Sequence, residues 1–164
     1  MKLLLIVLIL AALLFLYFTK KEKMLSQLEI VANYLFIATI NQNVMALFTV
    51  GFFFLQSPSA KTMYWALVVV RLVISPIIIL LFLQVYLQSN TIRKAKSLIS
   101  YITLFVVIDG IMHATGLLVL DAWHWWWSVP KWLFILVSSI LFMKFFRHSF
   151  IHKEEPHESR TYIK

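Results

Sequence analysis

Met63 to Leu87 reads MYWALVVVRLVISPIIILLFLQVYL, a stretch in which Arg71 is the only charged residue. As a helix rising 1.5 Å per residue it would extend about 37 Å, enough to cross a hydrocarbon core of roughly 30 Å. Four more apolar runs flank it: Leu3–Phe18, Ile30–Leu55, Leu98–Leu120 and Lys131–Phe146. The expected fold class is therefore all-α, an integral membrane five-helix bundle. Its transmembrane domain would occupy 1–147, with spans at about 3–18, 30–55, 63–87, 98–120 and 131–147, and 148–164 would be a cytoplasmic polar tail.

Composition agrees. Hydrophobic residues make up 62% of the 164 residues and charged residues 13%, too few to solvate a globular surface of this size. No segment is long enough for a separate soluble domain. The chain has no cysteine, which excludes disulfides, iron–sulfur clusters and thiol catalysis. The net charge of +8 sits in short clusters beside the apolar runs. There it opposes anionic headgroups, so the lipid bilayer rather than nucleic acid is the expected partner.

Lysine and arginine positions set the expected threading. Lys20, Lys21 and Lys23 follow span one; Arg93, Lys94 and Lys96 follow span three; Lys144, Arg147, Lys153, Arg160 and Lys164 close the chain. Placing these eleven residues inside leaves Lys2, Lys61 and Lys131 outside and Arg71 within a span. The positive-inside rule then predicts the N-terminus out and the C-terminus in. Lys2 before the first run resembles a secretory leader. However, Leu16-Tyr17-Phe18-Thr19 offers no small-residue cleavage site, so the run is read as a retained helix. Ser57-Pro58 and Ser128-Val129-Pro130 mark breaks, with Ser128 an N-cap candidate.

Charge inside lipid needs a partner or a purpose. Counting 1.5 Å per residue from the outer surface puts Arg71 roughly 12 Å deep, Asp109 roughly 16 Å and His113 roughly 10 Å. Asn41, Gln42 and Asn43 lie near the same level in span two, and Ser138 and Ser139 in span five. Pro76 leaves the Leu72 carbonyl without its helical donor. The expected site is a buried polar cluster of Arg71, Asp109, His113, Asn41 and Asn43, with Arg71 paired to Asp109. Two readings stand: a neutralised pair that locks two helices, or a site for an ion, a proton or a small polar ligand.

Asp121-Ala122-Trp123-His124-Trp125-Trp126-Trp127, with Trp132 beyond, is the densest aromatic segment. Trp123, Trp125, Trp126, Trp127 and Trp132 are expected to form an interfacial aromatic belt, since indoles favour the headgroup level. The sharper alternative is an aromatic cage for a cation. Asp121 with His124, and His148 with His152 and His157, are weak as metal-ligand sets, so no metal or cofactor is expected. G-x-S-x-G, H-E-x-x-H and P-loop motifs are absent, so the expectation is not an enzyme.

A leading helix closed by Thr19-Lys20-Lys21-Glu22-Lys23, a late span with an acid and Thr115-Gly116, and the Trp123–Trp127 link before a final helix form an ordered set. In that order the chain resembles an uncharacterised family of small multi-pass membrane proteins from spore-forming Gram-positive bacteria. The family's acid is usually Glu beside aromatics, where this chain has Asp109 beside Gly110. The resemblance implies a bacterial cytoplasmic membrane and a multi-pass topology but no activity. The functional expectation is a structural or accessory membrane protein, acting with a second copy or another membrane protein. The alternative is a small transporter or channel component built on Arg71, Asp109 and His113.

Overall fold

The computed structural model describes residues 2–20, 25–48, 55–56, 61–117, 119–120 and 125–151. Among them are five long helices: α1 (Lys2–Lys20), α2 (Gln27–Ala46), α3 (Lys61–Gln88), α4 (Thr91–Ala114) and α5 (Ser128–Phe146). One short antiparallel pairing, β1 (Leu55–Gln56) with β2 (Val119–Leu120), joins the segments after α2 and α4.

Helix α3 is the axle. Every residue from Ser75 to Gln84 is buried, as expected for a helix that is apolar all round. The other four helices pack against it, and α5 also packs on α2 and α4. Phe82 meets Tyr101 while Tyr86 meets Lys94, so α3 and α4 run antiparallel. Phe36 stacks on Phe142 at 4.1 Å between α2 and α5.

The outside is apolar. Leu5, Ile6, Leu13, Ile99, Ile111, Leu141 and Phe145 are each more than half exposed. Exposed apolar surface this extensive is an aggregation hazard in water and the natural exterior in lipid. Helices α1, α3, α4 and α5 (continued to Ser149) are long and apolar enough to cross a membrane. This is the architecture of a membrane-protein helical bundle.

Helix α2 is built differently. Its buried residues are Glu29, Asn33, Ile37, Asn41 and Met45, a stripe spaced by four, while Leu28, Val31 and Leu35 face outward. The polar face points in and the apolar face out, the inverse of a water-soluble helix. Its start is capped: the Ser26 hydroxyl accepts from the Glu29 N–H at 3.2 Å, and the Glu29 carboxylate accepts from the Ser26 N–H at 2.7 Å. This capping box satisfies two of the orphan N–H groups at the helix start.

Several boundaries differ from the apolar runs. The run 30–55 does not stay helical to its end, because Leu55 is extended and pairs with Leu120. The run 98–120 ends as a helix at Ala114, where Gly116 takes φ +72° and its N–H donates to the His113 carbonyl. A left-handed glycine is the usual way to close a helix. Ser128 is the first residue of α5 rather than its cap, because the 3-10 turn Trp125–Trp127 leads straight into the helix. The break at Ser57-Pro58 and the tail from His152 lie outside the described residues.

Candidate functional site: a buried carboxylate between two cations

Pro76 has no N–H, so the α3 backbone cannot keep a regular ladder around it. The helix widens into a π turn over Val70–Ile74, and the Ser75 N–H reaches back five residues to the Val70 carbonyl. In that register Pro76 would have to donate to the Arg71 carbonyl, and in α register to the Leu72 carbonyl. Neither bond can form. Helix α2 supplies the missing donors: Asn41 Nδ2 donates to the Arg71 carbonyl at 3.0 Å, and the Tyr34 hydroxyl donates to the Leu72 carbonyl at 2.7 Å. The polar face of α2 thereby repairs the broken backbone of α3.

The buried acid is held by α5. Lys131 Nζ lies 2.6 Å from Asp109 Oδ2, and the Trp132 indole N–H donates to the same oxygen at 2.8 Å. The two charged side chains are 2% and 6% exposed, so the pair is sealed from the surroundings. The Trp132 ring stacks on Phe105 at 4.0 Å, and Lys131 Nζ sits 4.4 Å from the ring centroid of Trp132. Asp109 and Phe105 are one turn apart on α4, and Lys131 and Trp132 are adjacent in the first turn of α5. Each helix thus presents a charged and an aromatic group to the other.

The expected Arg71–Asp109 pair is not what forms. Arg71 lies within electrostatic range of both Asp109 and Lys131, but its Nε is buried without a hydrogen-bond partner among the described residues. Asp109 Oδ1 is likewise buried without one. Matching heights brought the guanidinium near the carboxylate, yet Lys131 approaches from the facing helix and takes it. Lys131 belongs to the bundle interior, not to an outer link.

The other expected members separate. The Asn41 side chain joins the cluster through the Arg71 backbone carbonyl, not through the Arg71 guanidinium. Asn43 is exposed and donates to the Thr39 carbonyl of its own helix at 2.8 Å. His113 lies on the exposed side of α4, one turn beyond buried Asp109. Ser139 is buried and bonds the Ile135 carbonyl within α5.

Trp132 is a correction to the aromatic belt, being buried at 3% exposure. Trp126 is exposed and stacks on half-buried Trp127 at 4.8 Å. Trp123, Asp121, His124 and the Trp125 side chain lie outside the described residues.

A second ion pair, not anticipated from the sequence, ties the opposite end of α5 to α2. Glu29 is 2% exposed and accepts from the Arg147 guanidinium, with Nη2 at 3.4 Å from Oε2. Burial pushes the Glu29 carboxyl up, but the bonds from Arg147 and Ser26, with the charge of Arg147, outweigh it. The carboxyl sits below its ordinary value of 4.5. Ser26-Gln27-Leu28-Glu29 carries the capping-box spacing, which was the available signal.

A crevice of about 500 Å³ lies between α1, α3 and α4. Its walls are aliphatic and Met side chains apart from Tyr101 and Thr115, and Asp109 is not among them. No family model matches the chain, nor does any curated protein or solved structure.

Proposed function

We propose that this chain is a non-enzymatic accessory protein of a bacterial cytoplasmic membrane, a five-span bundle with its N-terminus outside and C-terminus inside. It stabilises or regulates a membrane partner rather than passing a substrate through itself. The observation that supports this reading is the sealed Asp109–Lys131–Trp132 contact. A carboxylate bonded to an ammonium and an indole, and walled by Phe105, is a fastening between helices. A buried pair of this kind fixes register even where its net contribution to stability is small. Helix α2 works in the same sense, because Asn41 and Tyr34 donate to backbone carbonyls of α3 and the Glu29 carboxylate accepts from Arg147.

A second reading, a small transporter or channel component, draws on Asp109 Oδ1 and Arg71 Nε, both buried without hydrogen-bond partners among the described residues. Flux across liposomes separates the two. The purified chain is reconstituted, and proton, sodium, potassium and chloride flux are followed with Asp109→Asn as the control. The accessory reading expects leak at the level of empty liposomes for both proteins. Flux in the parent chain that Asp109→Asn abolishes would overturn it.

A further inference from the structure

Another crevice, about 340 Å³, opens between α4 and α5 over Tyr86 of α3. Its lining runs from Thr91 and Lys94 near the start of α4 to Val137 and Leu141 of α5. One wall is Thr91, Lys94 and Leu98, which share a face of α4. The other is Val137 and Leu141 of α5, a face that continues three residues later to exposed Lys144. Polarity therefore changes along the crevice. One end, at Lys94 and toward Lys144, is cationic, and the other, at Leu98 and Val137, is apolar.

A second observation concerns charge. The first turn of α4 has no acidic residue and no side-chain cap on Asn90, and Arg93, Lys94 and Lys96 follow at once. The macrodipole already places positive charge at that end, so these cations are unfavourably placed. A helix start without an acidic residue or a side-chain cap suits an anion. Lys94 is half-buried and held over Tyr86, its Nζ 5.3 Å from the ring centroid, so it is positioned before any anion arrives.

We infer that this crevice seats one anionic phospholipid, its phosphate on Lys94 and Lys144 and the start of an acyl chain between Leu98 and Leu141. A crevice with a basic end between membrane helices suits an anionic headgroup. The occupant is a lipid rather than a free phosphate because more than half of the lining is apolar. The inference rests on the membrane reading of the bundle but not on its orientation or on an accessory role.

Native mass spectrometry of the detergent-solubilised full chain tests it, with dioleoyl phosphatidylglycerol titrated against dioleoyl phosphatidylcholine. The expected result is retention of phosphatidylglycerol by on the order of tenfold or more over phosphatidylcholine, from two cations near a headgroup. Lys94→Gln with Lys144→Gln should bring the two lipids level, while Lys61→Gln leaves the preference intact. Leu98→Trp, which fills the apolar half, should lower retention of phosphatidylglycerol, and glycerol 3-phosphate should not displace it. Equal retention of both lipids by the parent chain, an unchanged preference in the double variant, or full displacement by glycerol 3-phosphate would overturn the proposal. Carbonate extraction of membranes tests the underlying membrane reading separately: a chain that stays in the pellet yet shows no lipid preference loses only this inference.

Discussion

Trp132 donates its indole N–H to the same Asp109 oxygen that Lys131 approaches, at 2.8 Å and 2.6 Å respectively. One carboxylate oxygen thus receives an ammonium and an indole from adjacent residues of α5, leaving the carboxylate little freedom to turn. Trp132→Phe keeps the stack on Phe105 and removes only the donor. A hydrogen bond to a charged group contributes about 1.5–3 kcal/mol, and membrane interiors run toward the lower figure. The expected loss is about 1–2 kcal/mol in unfolding measured in bicelles. A change below about 0.3 kcal/mol would contradict the assigned bond.

Tyr34 should matter because of Pro76. Tyr34→Phe leaves the Leu72 carbonyl without a donor and is expected to cost about 1 kcal/mol. In a Pro76→Ala background the π turn is expected to relax to α register, where the new N–H at position 76 reaches the Leu72 carbonyl, and the same substitution should cost under about 0.3 kcal/mol. Equal costs in both backgrounds would mean that the hydroxyl does not serve the proline defect.

Acid should loosen the α2–α5 contact through Glu29. The folded carboxyl sits below its ordinary value of 4.5, so its contribution is present above that value and is lost as pH falls through the folded value. The melting temperature of the parent chain should therefore fall below about pH 4.5. Glu29→Gln should lower the melting temperature at neutral pH and flatten this acid dependence. A parent chain with no more acid dependence than Glu29→Gln would contradict the pairing with Arg147.

Threading is accessible because the chain has no cysteine. Single substitutions Lys61→Cys and Lys96→Cys, labelled in intact cells with an impermeant maleimide, should react from outside at 61 only. Reaction at both positions, or at 96 alone, would reject the proposed orientation.

Part of this arrangement was legible in the sequence. Run lengths and composition led to a helical bundle, because apolar length is itself the physical requirement for spanning lipid. Pro76 announced an orphan carbonyl at Leu72, since the missing N–H is a covalent fact. Its partner was not legible: Tyr34 lies on another helix, and no local rule says which hydroxyl crosses the gap. Arg71 and Asp109 were matched by depth, but depth leaves rotation about each helix axis undetermined. Lys131 was counted with the outer link although it opens an apolar run beside Trp132. Asn41 and Asn43 are only two residues apart, which on a helix means opposite sides, so one is buried and the other faces out.

The assignment of the buried carboxylate rests most directly on a double-mutant cycle. Asp109→Asn and Lys131→Met, singly and together, are unfolded in bicelles beside the cycle of Asp109→Asn with Arg71→Leu. Removing one partner of a buried pair strands the other charge, so the Asp109–Lys131 coupling should exceed about 2 kcal/mol, with the double variant recovering part of the loss. The Asp109–Arg71 coupling should be markedly smaller. A coupling to Lys131 within about 0.5 kcal/mol of zero, or a larger one to Arg71, would contradict the account.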